Sequence, residues 1–217
     1  METGIRILPH VEISHTNIPH FLIEDFIMVS SWSLKSDYSL NQVDLSYQEL
    51  EKDILDEVNK RLVKTLATSQ EGYVTAREVR FISKGLQMFF FTDNRSRKYQ
   101  QIKANPNIAI CTGPLQIEGL AHSKGHPKEE ENRKYLDTFS QTQPSSYKSF
   151  NRSGFFEHPN TRIVEINPER FVLYRELDLP DGHHLCIDVL TVTGRKASRI
   201  VLTKDGYDSK AYGELTK

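Results

Sequence analysis

Cysteine is scarce in this chain: two residues, Cys111 and Cys186, in 217. So few exclude a disulfide framework, and neither has the closely spaced Cys or His neighbours of a metal-ligand pair. Both lie in apolar stretches and read as free buried thiols in a reducing compartment. An excess of one charge is also missing. Lys plus Arg number 28 and Asp plus Glu 29, a formal net charge of -1, so the surface as a whole is not built to attract nucleic acid. Long hydrophobic runs are absent too. The segment 21–29 is apolar, but Glu24 and Asp25 interrupt it and it is too short to span a bilayer. The N-terminus lacks the basic start and small-residue cleavage site of a secretory signal, so a cytoplasmic protein without a membrane partner is expected. Finally, no glycine-rich strand-to-helix fingerprint occurs; Gly113 and Gly119 read as a turn and a close-approach position.

What the chain does contain is a short arm followed by alternating strand patterns. Residues 1–45 mix brief apolar runs with Pro9, Pro19 and many serines, and read as an N-terminal arm with a helix starting at Pro19. Residues 46–217 read as the domain. Ser46 followed by Glu49 is a capping box, and Tyr47, Leu50, Ile54, Val58 and Leu62 recur at helical spacing, predicting a helix over 46–61. Period-two patterns then predict a hairpin over 65–82, further strands at 86–92, 108–112 and 115–123, and a helix from Pro127 to about Phe139. Residues 141–153 read as loop with a single helical turn after Pro144. Strands at 162–166, 171–176, 184–190 and 197–202 complete the pattern, with turns at Asn167-Pro168 and at Pro180-Asp181-Gly182. Short antiparallel strands joined by tight turns describe a meander closing toward a barrel.

The chemistry concentrates between Thr65 and Ile110. Phe89-Phe90-Phe91-Thr92 runs through Asp93-Asn94-Arg95 into a predicted helix over 96–104 whose first turn carries Arg97 and Lys98. Cations are disfavoured at the positive end of a helix unless an anion joins them. Ser96 is placed to cap the helix, and free backbone N-H groups with two adjacent cations suit a phosphate. Over residues 77–98, Arg77, Arg80, Lys84, Arg95, Arg97 and Lys98 face only Glu78 and Asp93, six positives against two negatives. Arg77 and Arg80, three positions apart on a strand, are expected on opposite faces unless a bulge intervenes. His10, His15 and His20 recur at a spacing of five that fits neither one strand face nor one helix face, so no metal site is expected.

These motifs together resemble the flavin-binding split barrels related to pyridoxamine 5'-phosphate oxidase. The resemblance rests on Leu66-Ala67-Thr68-Ser69, Gly72, Ala76-Arg77-Glu78-Val79, Phe90-Phe91-Thr92, Ser96-Arg97-Lys98 and Ile102-Lys103-Ala104-Asn105-Pro106, in that order. It implies a mainly β fold, a six-stranded antiparallel split barrel of Greek-key type with peripheral helices. It also implies a homodimer with FMN in a groove between subunits. By the same resemblance Arg77, Glu78, Val79 and Arg80 line the flavin, Phe91 and Thr92 meet its tail, and Ser96, Arg97 and Lys98 bind its phosphate.

One part of the family pattern is missing. The oxidases resemble one another through a tryptophan-rich C-terminal motif that binds pyridoxal phosphate, whereas Trp32 is the only tryptophan here and Arg162 to Phe171 occupies the corresponding region. The expectation is therefore an FMN-binding flavoprotein, an oxidoreductase of unknown substrate and electron donor, with catalytic residues unassigned. A flavin carrier or stress protein without turnover, a deazaflavin protein and a haem-binding split barrel remain the alternatives.

Overall fold

The computed structural model describes residues 40–179 and 182–202. The predicted N-terminal helix and His10, His15 and His20 lie outside them. The first strand, β1 (Leu40–Asp44), falls within the segment read as the arm and pairs with the last strand of the fold. Helix α1 (Tyr47–Lys60) follows, with the Ser46 hydroxyl accepting from the Glu49 N-H at 3.4 Å. Tyr47, Leu50, Ile54 and Val58 form its buried stripe. Leu62 does not continue it: the helix ends at Lys60, and Leu62 is exposed in the link to the next strand.

Strands β2 (Val63–Gln70) and β3 (Tyr73–Arg80) form the expected hairpin, with β4 (Ile82–Lys84) and β5 (Gln87–Asp93) a second one. Helix α2 (Arg97–Ala104) leads to β6 (Asn107–Thr112) and β7 (Leu115–Gly125). Two helices, α3 (Arg133–Thr142) and α4 (Pro144–Arg152), precede β8 (Thr161–Leu179), β9 (Gly182–Thr191) and β10 (Lys196–Leu202).

The sheet closes because β3 and β4 are one path interrupted only at Phe81. β3 pairs with β2 and β4 pairs with β5. β5 pairs with β8, β8 with β7, β7 with β6 and β6 with β2, completing the circuit. Counting β3 and β4 together, the ring has the six antiparallel strands of a split barrel. The described sheet has ten strands, because the break at Phe81 divides one and β9, β10 and β1 extend the sheet beyond β8.

Three local expectations are corrected. Asn167-Pro168 is not a turn. It lies inside β8, where β5 has stopped pairing at Ile166 and β9 begins at Arg170, so the missing proline N-H costs no ladder bond on that edge. On the other edge Gly119 faces Pro168 at a register shift, and a Cβ on Gly119 would stand 2.3 Å from the Asn167 carbonyl oxygen. Gly119 is thus the close-approach glycine, and Gly113, at φ +57°, the turn glycine. The helix predicted from Pro127 starts instead as a 3₁₀ turn over Glu130–Asn132 and becomes α-helical at Arg133, because the Asn132 amide bonds the carbonyls of Lys124 (2.7 Å) and His126 (2.9 Å) in a tight entry. Residues 144–152 form a full helix rather than one turn. Pro144 starts it, and Tyr147 and Phe150 pack against an aromatic cluster, supplying what a polar sequence lacks on its own.

Strand alternation divides Phe89-Phe90-Phe91 between two cores. Phe90 is fully buried in the barrel and meets Phe81 edge-to-face at 5.4 Å. Phe89 and Phe91 point to the outer layer formed by α3 and α4. Cys111 also sits on an outer face and is exposed, contrary to expectation, whereas Cys186 is fully buried. Beside Cys186, the buried Asp188 carboxylate accepts from Arg199 (2.6 and 2.8 Å) and pairs with Arg175 (2.9 Å), which also reaches Asp53 on α1 (3.0 Å). No helix among the described residues is long and apolar enough to cross a membrane.

Lys64 faces the barrel core, with its amine donating to the Arg61 carbonyl and lying 6.0 Å from the Phe81 ring centroid. Burial lowers its amine from 10.5 to about 8. The unfolded chain therefore holds the proton to higher pH than the folded chain, so raising pH through this window favours folding. Wild-type stability is expected to rise relative to Lys64→Met between pH 8 and 10.5, measured by paired thermal melts; parallel curves would refute the buried-amine assignment.

Candidate functional site

The polar turn after β5 is built around Asp93. Its carboxylate accepts from the Arg95 backbone N-H (2.7 Å) and from the Arg95 guanidinium (2.6 and 3.0 Å), and these bonds hold its acid far below the usual carboxylate range. Arg95 is thereby neutralised. Arg97 and Lys98 are different: they begin α2, its first turn has no acid, and neither makes an ion pair with any described residue. Burial and the nearby Arg77 charge both lower the Lys98 amine, with Asp93 opposing. Burial and Arg97 likewise lower the Arg77 guanidinium. Three cations thus sit within one another's fields with no described carboxylate paired to any of them.

Ser96 has the extended backbone of an N-cap, but its side chain does not cap the helix. Its hydroxyl lies 3.0 Å from that of the buried Thr92. The expected Ser96 cap is therefore corrected, and the helix start keeps its side-chain-uncapped N-H groups beside the two cations.

Arg77 faces away from Arg80, as the regular β2–β3 register requires. Its guanidinium donates to the hydroxyls of Thr68 (2.6 Å) and Thr75, to the Leu66 carbonyl (3.3 Å) and to Gln101 Oε1 (3.3 Å). Gln101, nearly fully buried on α2, also accepts from Thr68 (2.7 Å) and Thr75 (2.8 Å). The hairpin is thus joined to the cationic helix through neutral oxygens.

Next to this cluster lies a groove of about 300 Å³. Thr92, Lys98 and Asp93 mark its charged end. Val79 and Ile82 contribute apolar surface, with Glu78 and Arg80 beside them, and Phe91, Phe139, Phe150 and Phe155 form an aromatic wall. Phe91 is only half-buried and its ring stacks on Phe139 at 5.6 Å, so it serves the outer core and the groove together. Arg80 is steered by Gln143 at the corner between α3 and α4: the amide oxygen accepts from Arg80 (3.4 Å) and the amide nitrogen donates to the Phe81 carbonyl (2.7 Å).

Of the nine residues singled out in the sequence, Glu78, Val79, Arg80, Phe91, Thr92 and Lys98 line the groove; Ser96 touches Thr92, and Arg77 stands in the fields of Arg97 and Lys98. The sequence reading missed Gln101, Gln143 and the wall formed by Phe139, Phe150 and Phe155. The spacing of Tyr147 and Phe150, with Phe155-Phe156 beyond, was the available signal of an apolar helical face. No cluster of three potential metal ligands occurs among the described residues.

The arrangement suits an elongated ligand with an anion at one end and a flat apolar body at the other. A phosphate group suits the charged end, where the three cations have no carboxylate partner among the described residues. Residues 50–175, more than half of the chain, match the family described as pyridoxamine 5'-phosphate oxidase. General stress protein 26 of Bacillus subtilis is 26% identical over 127 residues, 58% of this chain and 88% of that protein. Two solved structures share the fold at a TM-score of 0.50. One is a pyridoxamine 5'-phosphate oxidase-related, FMN binding protein from Nostoc punctiforme, 16% identical and covering 74% of this chain and all of that one. The other is a Clostridium acetobutylicum protein related to general stress protein 26, 12% identical, covering 69% and 99%.

Phe139 is fully buried against Phe91, Tyr147, Phe150 and Phe156. Phe139→Ala is expected to cost about 3–5 kcal/mol in denaturant unfolding, the range for deleting a buried aromatic side chain. A cost below about 1 kcal/mol would show that the aromatic wall is not packed as described.

Proposed function

The chain belongs to the pyridoxamine 5'-phosphate oxidase family, and from that premise we propose that it is an FMN-binding flavoprotein acting as an oxidoreductase. The observation that carries this reading is the joining of three cations, Arg77, Arg97 and Lys98, which have no acidic partner among the described residues, to an aromatic-walled groove. In this reading Arg97, Lys98 and the start of α2 hold the phosphate, with Arg77 adding charge from β3 and Ser96 supporting Thr92 at the tail. The backbone of β3 near Val79 and Arg80 and the aromatic wall receive the ring and exclude water from it. The flavin, when bound, supplies the hydride or electron chemistry. No acid or base is assigned.

Vitamin B6 chemistry is not proposed. The stretch from Arg162 to Phe171 lies in the first half of β8, committed to pairing with β5, β7 and β9, and carries no tryptophan. The proposed assembly is a homodimer that completes the flavin groove. It draws support from β3, which among the described strands pairs only with β2 along residues 73–80 and exposes Tyr73 and Val74 at 65% and 64%.

The purified chain is expected to carry FMN or to take it up, detected by its visible absorbance and by quenching of flavin fluorescence. Removing two charge-assisted contacts in Arg97→Ala/Lys98→Ala is expected to weaken FMN binding by at least about tenfold. Failure to bind FMN, or an unaffected double variant, would overturn the proposal. Reduction by NAD(P)H followed by reoxidation by an acceptor distinguishes an enzyme from a carrier that binds flavin without turnover.

A further inference from the structure

Gln101 raises a question of charge. It is a buried side chain whose single oxygen accepts from Thr68, Thr75 and Arg77, while its nitrogen donates to the Tyr73 carbonyl at 3.4 Å. A carboxylate there would make a stronger partner for a guanidinium, since a charged pair forms shorter and stronger hydrogen bonds than a neutral acceptor. The same carboxylate would also cancel the arginine charge. Among the described residues, every acceptor on Arg77 is neutral: two hydroxyls, one backbone carbonyl and one amide. Other arginines are met by carboxylates, as in Arg95 with Asp93, Arg199 with Asp188 and Arg170 with Glu118, whereas Arg77, like Arg80 on Gln143, is oriented by neutral oxygens. Arg77 is the one of these held by a residue of the helix that carries Arg97 and Lys98.

We propose that Gln101 is a positioning residue for the anion subsite, and that by holding Arg77 with a neutral oxygen it makes the site prefer a phosphorylated flavin over the same flavin without its phosphate. The inference rests on the FMN reading and deepens it. Gln101 stands on the helix that begins with Arg97 and Lys98, so one short element both supplies two cations and aims the third. Thr68 completes the link, donating to Gln101 and accepting from Arg77.

The test compares affinities for FMN and riboflavin in the full-length chain, by fluorescence titration, for wild type, Gln101→Glu and Gln101→Met. Riboflavin carries the same ring, so its binding checks both folding and ring contacts. Gln101→Glu is expected to lower FMN affinity by at least about tenfold while changing riboflavin affinity by less than about twofold, because the new carboxylate neutralises Arg77. Gln101→Met, which loses the orientation but adds no charge, is expected to reduce the FMN-to-riboflavin preference by a smaller factor, and it carries the test if the glutamate variant does not fold. Raising salt is expected to narrow the wild-type preference more than that of Gln101→Glu. If wild type prefers FMN and neither foldable variant changes that preference, or both flavins weaken equally, the inference fails while the flavin reading stands. If wild type binds neither flavin, the flavin reading fails and the inference with it.

Discussion

The crossing at Phe81 is the constraint on which the rest of the structure depends. There the path leaves β2 as a partner and takes up β5, so one interrupted strand joins two sheet edges and closes the barrel. Phe81 is anchored by its N-H to the Leu62 carbonyl at 2.8 Å, by its ring against Phe90, and by its carbonyl to the Gln143 amide. The same crossing decides where charge goes. Arg77, before it, faces β2 and α2, while Arg80, next to it, faces the groove and the α3–α4 corner. Without closure the hairpin would have no fixed relation to β5, and the cations of the two segments would not meet.

The second organising feature is selective neutralisation. Asp93 and Arg95 cancel one another in the turn, and Asp188 satisfies two arginines under the extra strands. Among the described residues, Arg77, Arg97 and Lys98 are paired with no carboxylate. Burial, and after it repulsion, lowers the pKa of Arg77 and Lys98, which is a standing cost to the protein without a ligand. An anion bound among them offsets that cost, and perturbed groups beside a groove are a recurring mark of functional sites.

The outer aromatic layer gives the groove its other half. Phe139, Phe150, Phe155 and Phe156 belong to segments of largely polar composition, and they become a wall only because β5 and β8 present Phe89, Phe91 and Ile163 to them. Edge-to-face contacts among these rings fix the wall in place. β8 is long enough to serve the barrel with its first half and β9 with its second, so the same strand supports the groove and the extension of the sheet.

Much of this was legible in the sequence where the physics is local. Capping at Ser46, the buried stripe of α1, the β2–β3 hairpin, the close approach at Gly119 and the cations opening α2 all follow from residues within a few positions of each other. What stayed hidden required distant partners. Pro168 looked like a turn because nothing local shows that its missing N-H falls in the gap between β5 and β9. Residues 144–152 looked like loop because their apolar face is stabilised by Phe139 and Phe156 rather than by propensity, and Ser96 looked like a cap although its hydroxyl turns back four residues to Thr92. The sequence by itself determined where most of the barrel strands lie along the chain and a cluster of cations with too few acids to balance it. Tertiary structure alone decided that Arg77 is held by oxygens of β2 and α2 and Arg80 by Gln143, because closure of the barrel brings those distant partners within hydrogen-bonding distance.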